Sequence, residues 1–237
     1  MKIAILGAMD EEISLLRSSL THVVETQIGH LTVYLGRLET VDIVLVKCGI
    51  GKVAAAVSTT LLINEFAPDF VINTGSAGGF SKDRIIGDIV IATELRHHDA
   101  DLTFFGYEIG QCAGMPAQYN CDPRLIACAV KAMEKLNNLG FEKGLICTGD
   151  SFVGSDEGAA QIRQNFPSIS AVEMEGVAIA QSCFLLKTPF LVIRSLSDIA
   201  GKTSTVSFQT YLETAAKHSA QLVMQTIAIL NNDNQTE

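Results

Sequence analysis

Ala171-Val172-Glu173-Met174-Glu175-Gly176 sets two carboxylates around one methionine, between an apolar run over residues 169–172 and another over 177–186. The first run has the length of a strand and the second that of a helix, so the stretch reads as the turn of a strand–turn–helix unit. An ionised carboxylate taken out of water without a partner costs several kcal/mol. A pair of them in apolar surroundings therefore has something to hold, and hydroxyl donors such as those of a sugar suit two acidic acceptors.

The same alternation extends outward from this stretch in both directions. Residues 2–6 form an apolar strand, and Asp10-Glu11-Glu12-Ile13 opens a helix, which places residues 7–12 where open α/β sheets bind ligands. Residues 31–38 and 41–48 read as a hairpin about Glu39-Thr40, and Gly49-Ile50-Gly51 turns into a helix over 52–66. Residues 69–73 are a strand that ends in the glycine-rich turn 74–79, and residues 87–94 are the next strand. Between 95 and 122 periodicity is lost, with Gly106, Gly110, Gly114 and Pro116 marking a long excursion of the kind that serves function or an interface.

A helix over 123–136 follows, with Pro123 at its start, then a strand over 144–148 ending in Gly149-Asp150-Ser151-Phe152, and a helix over 157–166 stopped by Pro167. Beyond the opening stretch come a strand over 190–196, ending in Ser197-Asp198, a helix over 207–230 and a frayed polar tail over 231–237. No break in composition and no repeat interrupts the series. The fold class expected is α/β: one domain over residues 1–230, a three-layer α/β/α arrangement around a central mixed, mostly parallel sheet.

At 237 residues the chain can bury a sizeable core, and its 48% hydrophobic content leaves apolar surface that a homo-oligomer would cover. Mean hydropathy is high, +0.29. The net charge of −9, with no Lys/Arg cluster, excludes a nucleic-acid backbone as partner and favours a small neutral or cationic ligand. The N-terminal apolar run is too short for a signal peptide, and no uninterrupted stretch could span a membrane, so a cytoplasmic protein is expected. Its six scattered cysteines lack any C-x-x-C pair and read as free thiols.

Several stretches invite chemistry and have plainer explanations beside it. Gly49-x-Gly51-x-x-Ala54 is a partial dinucleotide fingerprint, but Asp69 precedes its strand instead of ending it, so the ribose-binding acid is missing. His97-His98-Asp99-Ala100-Asp101 lacks an obvious third and fourth ligand, and adjacent residues on an extended chain face apart. Metal is accordingly not expected. Acidic residues at 10–12 suit a first helical turn, yet their place after a strand makes one a candidate to face a site. Asp198 either caps a helix or points into a site, with Arg194 and Leu196 on the same face by alternation and Ser197 able to orient it. Phe152 and Phe208 are core residues or the flat walls of a base pocket.

Taken together, Gly7-Ala8-Met9-Asp10-Glu11-Glu12, Gly49-Ile50-Gly51-Lys52-Val53-Ala54-Ala55-Ala56, Asn73-Thr74-Gly75-Ser76-Ala77-Gly78-Gly79, His98-Asp99-Ala100-Asp101, Val172-Glu173-Met174-Glu175 and Ser197-Asp198 carry a resemblance. In these stretches, and in their order, the chain resembles the 5′-methylthioadenosine/S-adenosylhomocysteine nucleosidases of the nucleoside phosphorylase-like superfamily. The resemblance implies that superfamily's fold and a hydrolase that cuts the N-glycosidic bond of 5′-thio-substituted adenosines, with water as nucleophile and no cofactor. By position it implies Asp198 as the acid toward adenine N7 and Glu12 as the base for water, with Ser76 and Arg194 placing that water. Glu175 would hold the ribose hydroxyls, assisted by Glu173 and the Met174 backbone. Phe152 would stack on adenine and the Val153 backbone would read its edge, while Met9, Ile50 and Phe208 would line the 5′-thio pocket. Ala77, Gly78 and Ser197 complete the implied substrate-binding set. A homodimer whose partner contributes its 102–113 segment is implied as well.

The chemistry asks for these residue types independently. Adenine leaves poorly as an anion, so a carboxylic acid with a raised pKa must protonate it while a second carboxylate stays ionised. A phosphorylase of the same fold would need a cationic clamp near residues 7–12, where Asp10-Glu11-Glu12 has the wrong sign. A purine nucleosidase for a futalosine-type substrate and a non-catalytic nucleoside-binding module are the remaining competing readings.

Overall fold

The computed structural model describes residues 1–136, 139–201 and 204–235, with the backbone alone at 204, 205, 234 and 235. Strand β1 (Lys2–Gly7) is buried on both faces, with Ile3, Ala4, Ile5 and Leu6 fully enclosed, which suits a parallel strand flanked on both sides. It lies parallel to β4 (Val41–Lys47) on one side and to β5 (Phe70–Gly79) on the other. Outward from β4 the sheet continues antiparallel through β3 (Leu31–Leu38) to β2 (Thr21–Ile28) at the edge.

The other half of the sheet closes on itself. Strand β10 (Phe190–Ile199) pairs with β6 (Ile89–His97), β6 with β8 (Phe141–Thr148) and β8 with β9 (Ile169–Glu173), and both β9 and β10 also pair with β5. A two-residue strand, β7 (Tyr119–Asn120), is added to β6. The ring β5–β10–β6–β8–β9 gathers the carboxyl ends of β5, β9 and β10 at one place. Helices α1 (Asp10–Ser19) and α3 (Pro123–Met133) pack on the long α6 (Ser204–Gln235), which also covers β5 and β10. Helix α2 (Lys52–Phe66) packs on α5 (Gly176–Leu185), and α4 (Asp156–Asn165) covers a smaller apolar cluster that includes Phe80, Ile162 and Phe166. No helix of the described residues is long and apolar enough to cross a membrane.

The sheet is mixed, with strand pairings of the two kinds equal in number among the described residues: β1–β4, β1–β5, β5–β10, β6–β8 and β8–β9 are parallel, with the longest ladders among them, and the other five are antiparallel. Four expectations need correction. The segment 74–79 does not turn out of its strand: Thr74 to Gly79 stay laddered to β10, and Gly78 and Gly79 also pair with β9. Strand β2 escapes the sequence reading because it is an edge strand, largely exposed, with no inward apolar alternation. Within 95–122, β6 runs on to His97, and the segment holds a 3-10 turn (Thr103–Phe105) as well as β7. The tail is not frayed from 231: α6 runs to Gln235, with Asn231 Nδ2 donating to Thr40 Oγ1 at 2.9 Å and Lys131 Nζ 2.9 Å from Asp233. Thr236 and Glu237 lie outside the described residues.

Candidate active site

A cavity of about 220 Å³ opens where α1 and α2 begin and where β5, β9 and β10 end. All the residues nominated from the sequence line it except Arg194.

Glu12 stands in the first turn of α1, two per cent exposed, with its carboxylate folded back over the helix start. Oε2 accepts from Ala8 N at 2.7 Å and Met9 N at 3.3 Å, while Oε1 accepts from Ser76 N at 2.9 Å and Ser76 Oγ at 3.1 Å. Four donors thus converge on two oxygens. Gly75 is required beside it, because a Cβ there would overlap both the Glu12 carboxylate and the Arg194 guanidinium. Ser219 of α6 holds that stretch of β5 in place, its Oγ accepting from Gly75 N at 3.2 Å.

Arg194, fully buried, does not face the cavity. Its Nη2 donates to Asn73 Oδ1 at 2.7 Å and to Glu173 Oε2, and lies 3.6 Å from Glu175 Oε2. A buried cation between two carboxylates neutralises charges that would otherwise be very costly there. Glu173 is spent in the same way: it accepts from Arg194, from Thr148 Oγ1, and from Glu175 N (2.9 Å) and Gly176 N (2.7 Å) at the start of α5. Glu175 is less engaged, its Oε1 accepting from Gly51 N at 2.9 Å. Burial and the neighbouring Glu173 push the Glu175 carboxyl up, while Arg194 and the Gly51 amide pull it back in part.

Asp198 follows a bulge in β10: Leu196 pairs with Ala77, yet Asp198 pairs with Gly78. The extra residue breaks the alternation that would have put Asp198 on the face shared by Arg194 and Leu196, and re-aims it into the cavity. Its carboxyl receives one hydrogen bond, from Ser197 Oγ at 2.9 Å, and burial raises it to about 6. Phe152 and Phe208 meet edge to face with ring centroids 5.8 Å apart, and both line the cavity, so they are walls and not core. Ala8, Ser151 and Val172 also line it and were not nominated; each sits directly beside a residue that was.

The histidine run is drawn into structure. His97 Nε2 lies 3.1 Å from Gln181 Oε1, and Asp99 pairs with Lys52 Nζ at 2.7 Å. Burial lowers both His97 and His98.

A closed five-strand ring with buried carboxyls gathered around one cavity at its strand ends is an α/β architecture with a single candidate site among the described residues. The sequence model of the family described as Phosphorylase superfamily matches residues 2–228. A 5′-methylthioadenosine/S-adenosylhomocysteine nucleosidase of Lysinibacillus sphaericus is 52% identical over 230 residues, covering 97% of this chain and 100% of that protein. The crystal structure of such a nucleosidase from Colwellia psychrerythraea, in complex with adenine, superposes with a TM-score of 0.96 at 52% identity, over 97% of this chain and 96% of the other. That from Neisseria meningitidis, in complex with methylthio-immucillin-A, gives 0.94 at 47% identity, over 95% and 98%. The chain belongs to the phosphorylase superfamily and, within it, to the family of 5′-methylthioadenosine/S-adenosylhomocysteine nucleosidases.

Proposed function

We propose that this protein hydrolyses the N-glycosidic bond of 5′-methylthioadenosine and S-adenosylhomocysteine, and of 5′-deoxyadenosine, releasing adenine and the 5-substituted ribose. The observation that carries this reading is one cavity holding a carboxyl raised to about 6 and a second carboxylate bound by four donors. A carboxyl with a raised pKa suits the acid, and an acceptor held in place by four donors beside it suits the base.

Asp198 protonates adenine N7 as the bond to the sugar breaks, and Glu12 takes a proton from the attacking water, with Ser76 beside it. Each such step contributes roughly 10²–10⁴-fold. The sugar becomes oxocarbenium-like, a state that negative charge nearby favours, and the carboxyl groups of Glu12 and Glu175 line the same cavity. Glu175 and the Met174 backbone hold the ribose hydroxyls. Phe152 stacks on the base, Val153 reads its edge, and Met9, Ile50 and Phe208 surround the 5′ substituent. Arg194 takes a different part from the one the resemblance implies, neutralising Glu173 and Glu175 from behind instead of placing water.

Among the described lining residues no Lys or Arg is present, which favours water over phosphate as the nucleophile. Adenine release from methylthioadenosine in phosphate-free buffer tests this, and an absolute phosphate requirement would sink it.

A homodimer belongs to the same reading. Phe104, 92% exposed, stands with exposed Phe105 on the 102–113 segment, and Val53 and Ile50 are exposed at the start of α2 beside the cavity. The cytoplasmic location is supported by six free cysteines, and the three-layer arrangement by helices α1, α3 and α6 packing as one group and α2 with α5 as another.

A further inference from the structure

Helix α2 starts without a cap of its own. Gly51, the residue before it, has no side chain and stands at φ +94°, where glycine is favoured. The exposed amides of that helix end are met instead by carboxylates from two other loops: Gly51 N donates to Glu175 Oε1 at 2.9 Å, and Lys52 N donates to Asp150 Oδ1 at 2.8 Å. Asp150 is fixed in turn, since its own N–H donates to Asp99 Oδ2 at 3.0 Å. Both Asp99 oxygens accept from Lys52 Nζ, at 2.7 and 2.9 Å. Three segments far apart in sequence, following β6, following β8 and opening α2, are thereby closed into one ring. None of its three members lines the cavity, but their chain neighbours Ile50, Ser151, Phe152 and Val153 do.

We propose that Asp99, Lys52 and Asp150 are positioning residues that seat the Gly51 amide against Glu175 and tie the loop 151–153 to the same point. The inference rests on the nucleosidase reading of the cavity. Glu175 is faced by Glu173 from β9, Arg194 from β10, Glu12 from α1 and the Cys48 thiol after β4. Arg194 is shared with Glu173, so the Gly51 N–H is the hydrogen bond described as reaching Glu175 alone. A donor to the ionised form favours that form, so loosening it makes Glu175 harder to ionise and a poorer acceptor of ribose hydroxyls.

Asp150→Ala removes the acceptor for Lys52 N, whereas Asp150→Asn keeps an oxygen in its place and leaves the Asp99–Lys52 pair standing. With methylthioadenosine in phosphate-free buffer, Asp150→Ala should raise KM about tenfold, the size of one lost charge-assisted hydrogen bond, and leave kcat near wild type. The acid limb of kcat/KM should move to higher pH, and hydrogen exchange of the amides in 49–55 should quicken. Asp150→Asn should restore all three. Asp99→Asn, which weakens the Lys52 pair and leaves one oxygen to accept from Asp150 N, should give the same pattern in smaller measure and serves if Asp150→Ala does not fold. Unchanged KM, pH limb and exchange in the Ala variant, or an Asn variant that behaves like Ala, would overturn the proposal. Turnover by the wild type judges the underlying reading, while exchange without substrate judges the ring, so the two failures are told apart.

Discussion

Asp198 and Glu12 are both carboxyls, both nearly inaccessible, and both line one cavity, yet their surroundings are opposite. Asp198 sits past a bulge with a single hydroxyl donor, and burial lifts it to about 6. Glu12 sits in the first turn of a helix with three backbone amides and a hydroxyl aimed at it. Donor count, not residue type, separates a carboxyl met by one hydroxyl from one met by three amides and a hydroxyl. Backbone placement thus gives two carboxyls of one cavity different surroundings, the difference on which the proposed roles of acid and base rest.

The largest effect that could break this contrast is on rate. Asp198→Asn and Glu12→Gln should each lower kcat for adenine release by at least about 10²-fold, and a variant pair that keeps wild-type turnover would end the assignment. Because Asp198 must carry its proton, wild-type kcat/KM should fall as pH rises through about 6 and Asp198→Asn should lose that limb.

Stability sharpens the same contrast through the charge buried behind it. Arg194→Met leaves Glu173 and Glu175 buried without their cation and should cost about 3–5 kcal/mol in urea unfolding. Asp198 behaves oppositely. Its folded pKa lies above its unfolded value, so its contribution is favourable when it is neutral and is lost as pH rises from about 4 through about 6. Asp198→Asn should therefore be close to wild type in stability at pH 4 and more stable by about 1–3 kcal/mol at pH 8. An equal difference at both pH values would show that burial is not what raises the group.

The smallest effect belongs to Asp10, in the same first turn as Glu12 but exposed. It pairs with Lys47 at 2.7 Å on the surface, and Asp10→Asn should change stability by less than about 0.5 kcal/mol and leave adenine release intact.

Period and punctuation carried most of the fold. The apolar run of β1 and the Pro123 start of α3 are local signals, and the structure follows both. Local signals also misled, and always where a neighbour outvoted them. Glycines at 75, 78 and 79 look like a turn, but β10 holds all three in β5, β9 flanks the last two, and their lack of a side chain allows close approach. The tail from Asn231 looks frayed, yet Thr40 and Lys131 reach it.

By itself the sequence determined which residue types stand at the strand ends: the carboxylates at 12, 173, 175 and 198, the glycines between strands and helices, and the aromatic residues that follow. Those follow from composition and spacing, which need no third dimension. Only the tertiary structure decided what each carboxylate does. Arg194 is 19 residues from Glu175 and turns out to be its neutralising partner, the bulge after Leu196 swings Asp198 out of the face of that arginine, and Ser76 crosses from β5 to meet Glu12. Burial and hydrogen-bond donors are properties of the neighbours that folding brings, and they are what shifts a carboxyl's pKa.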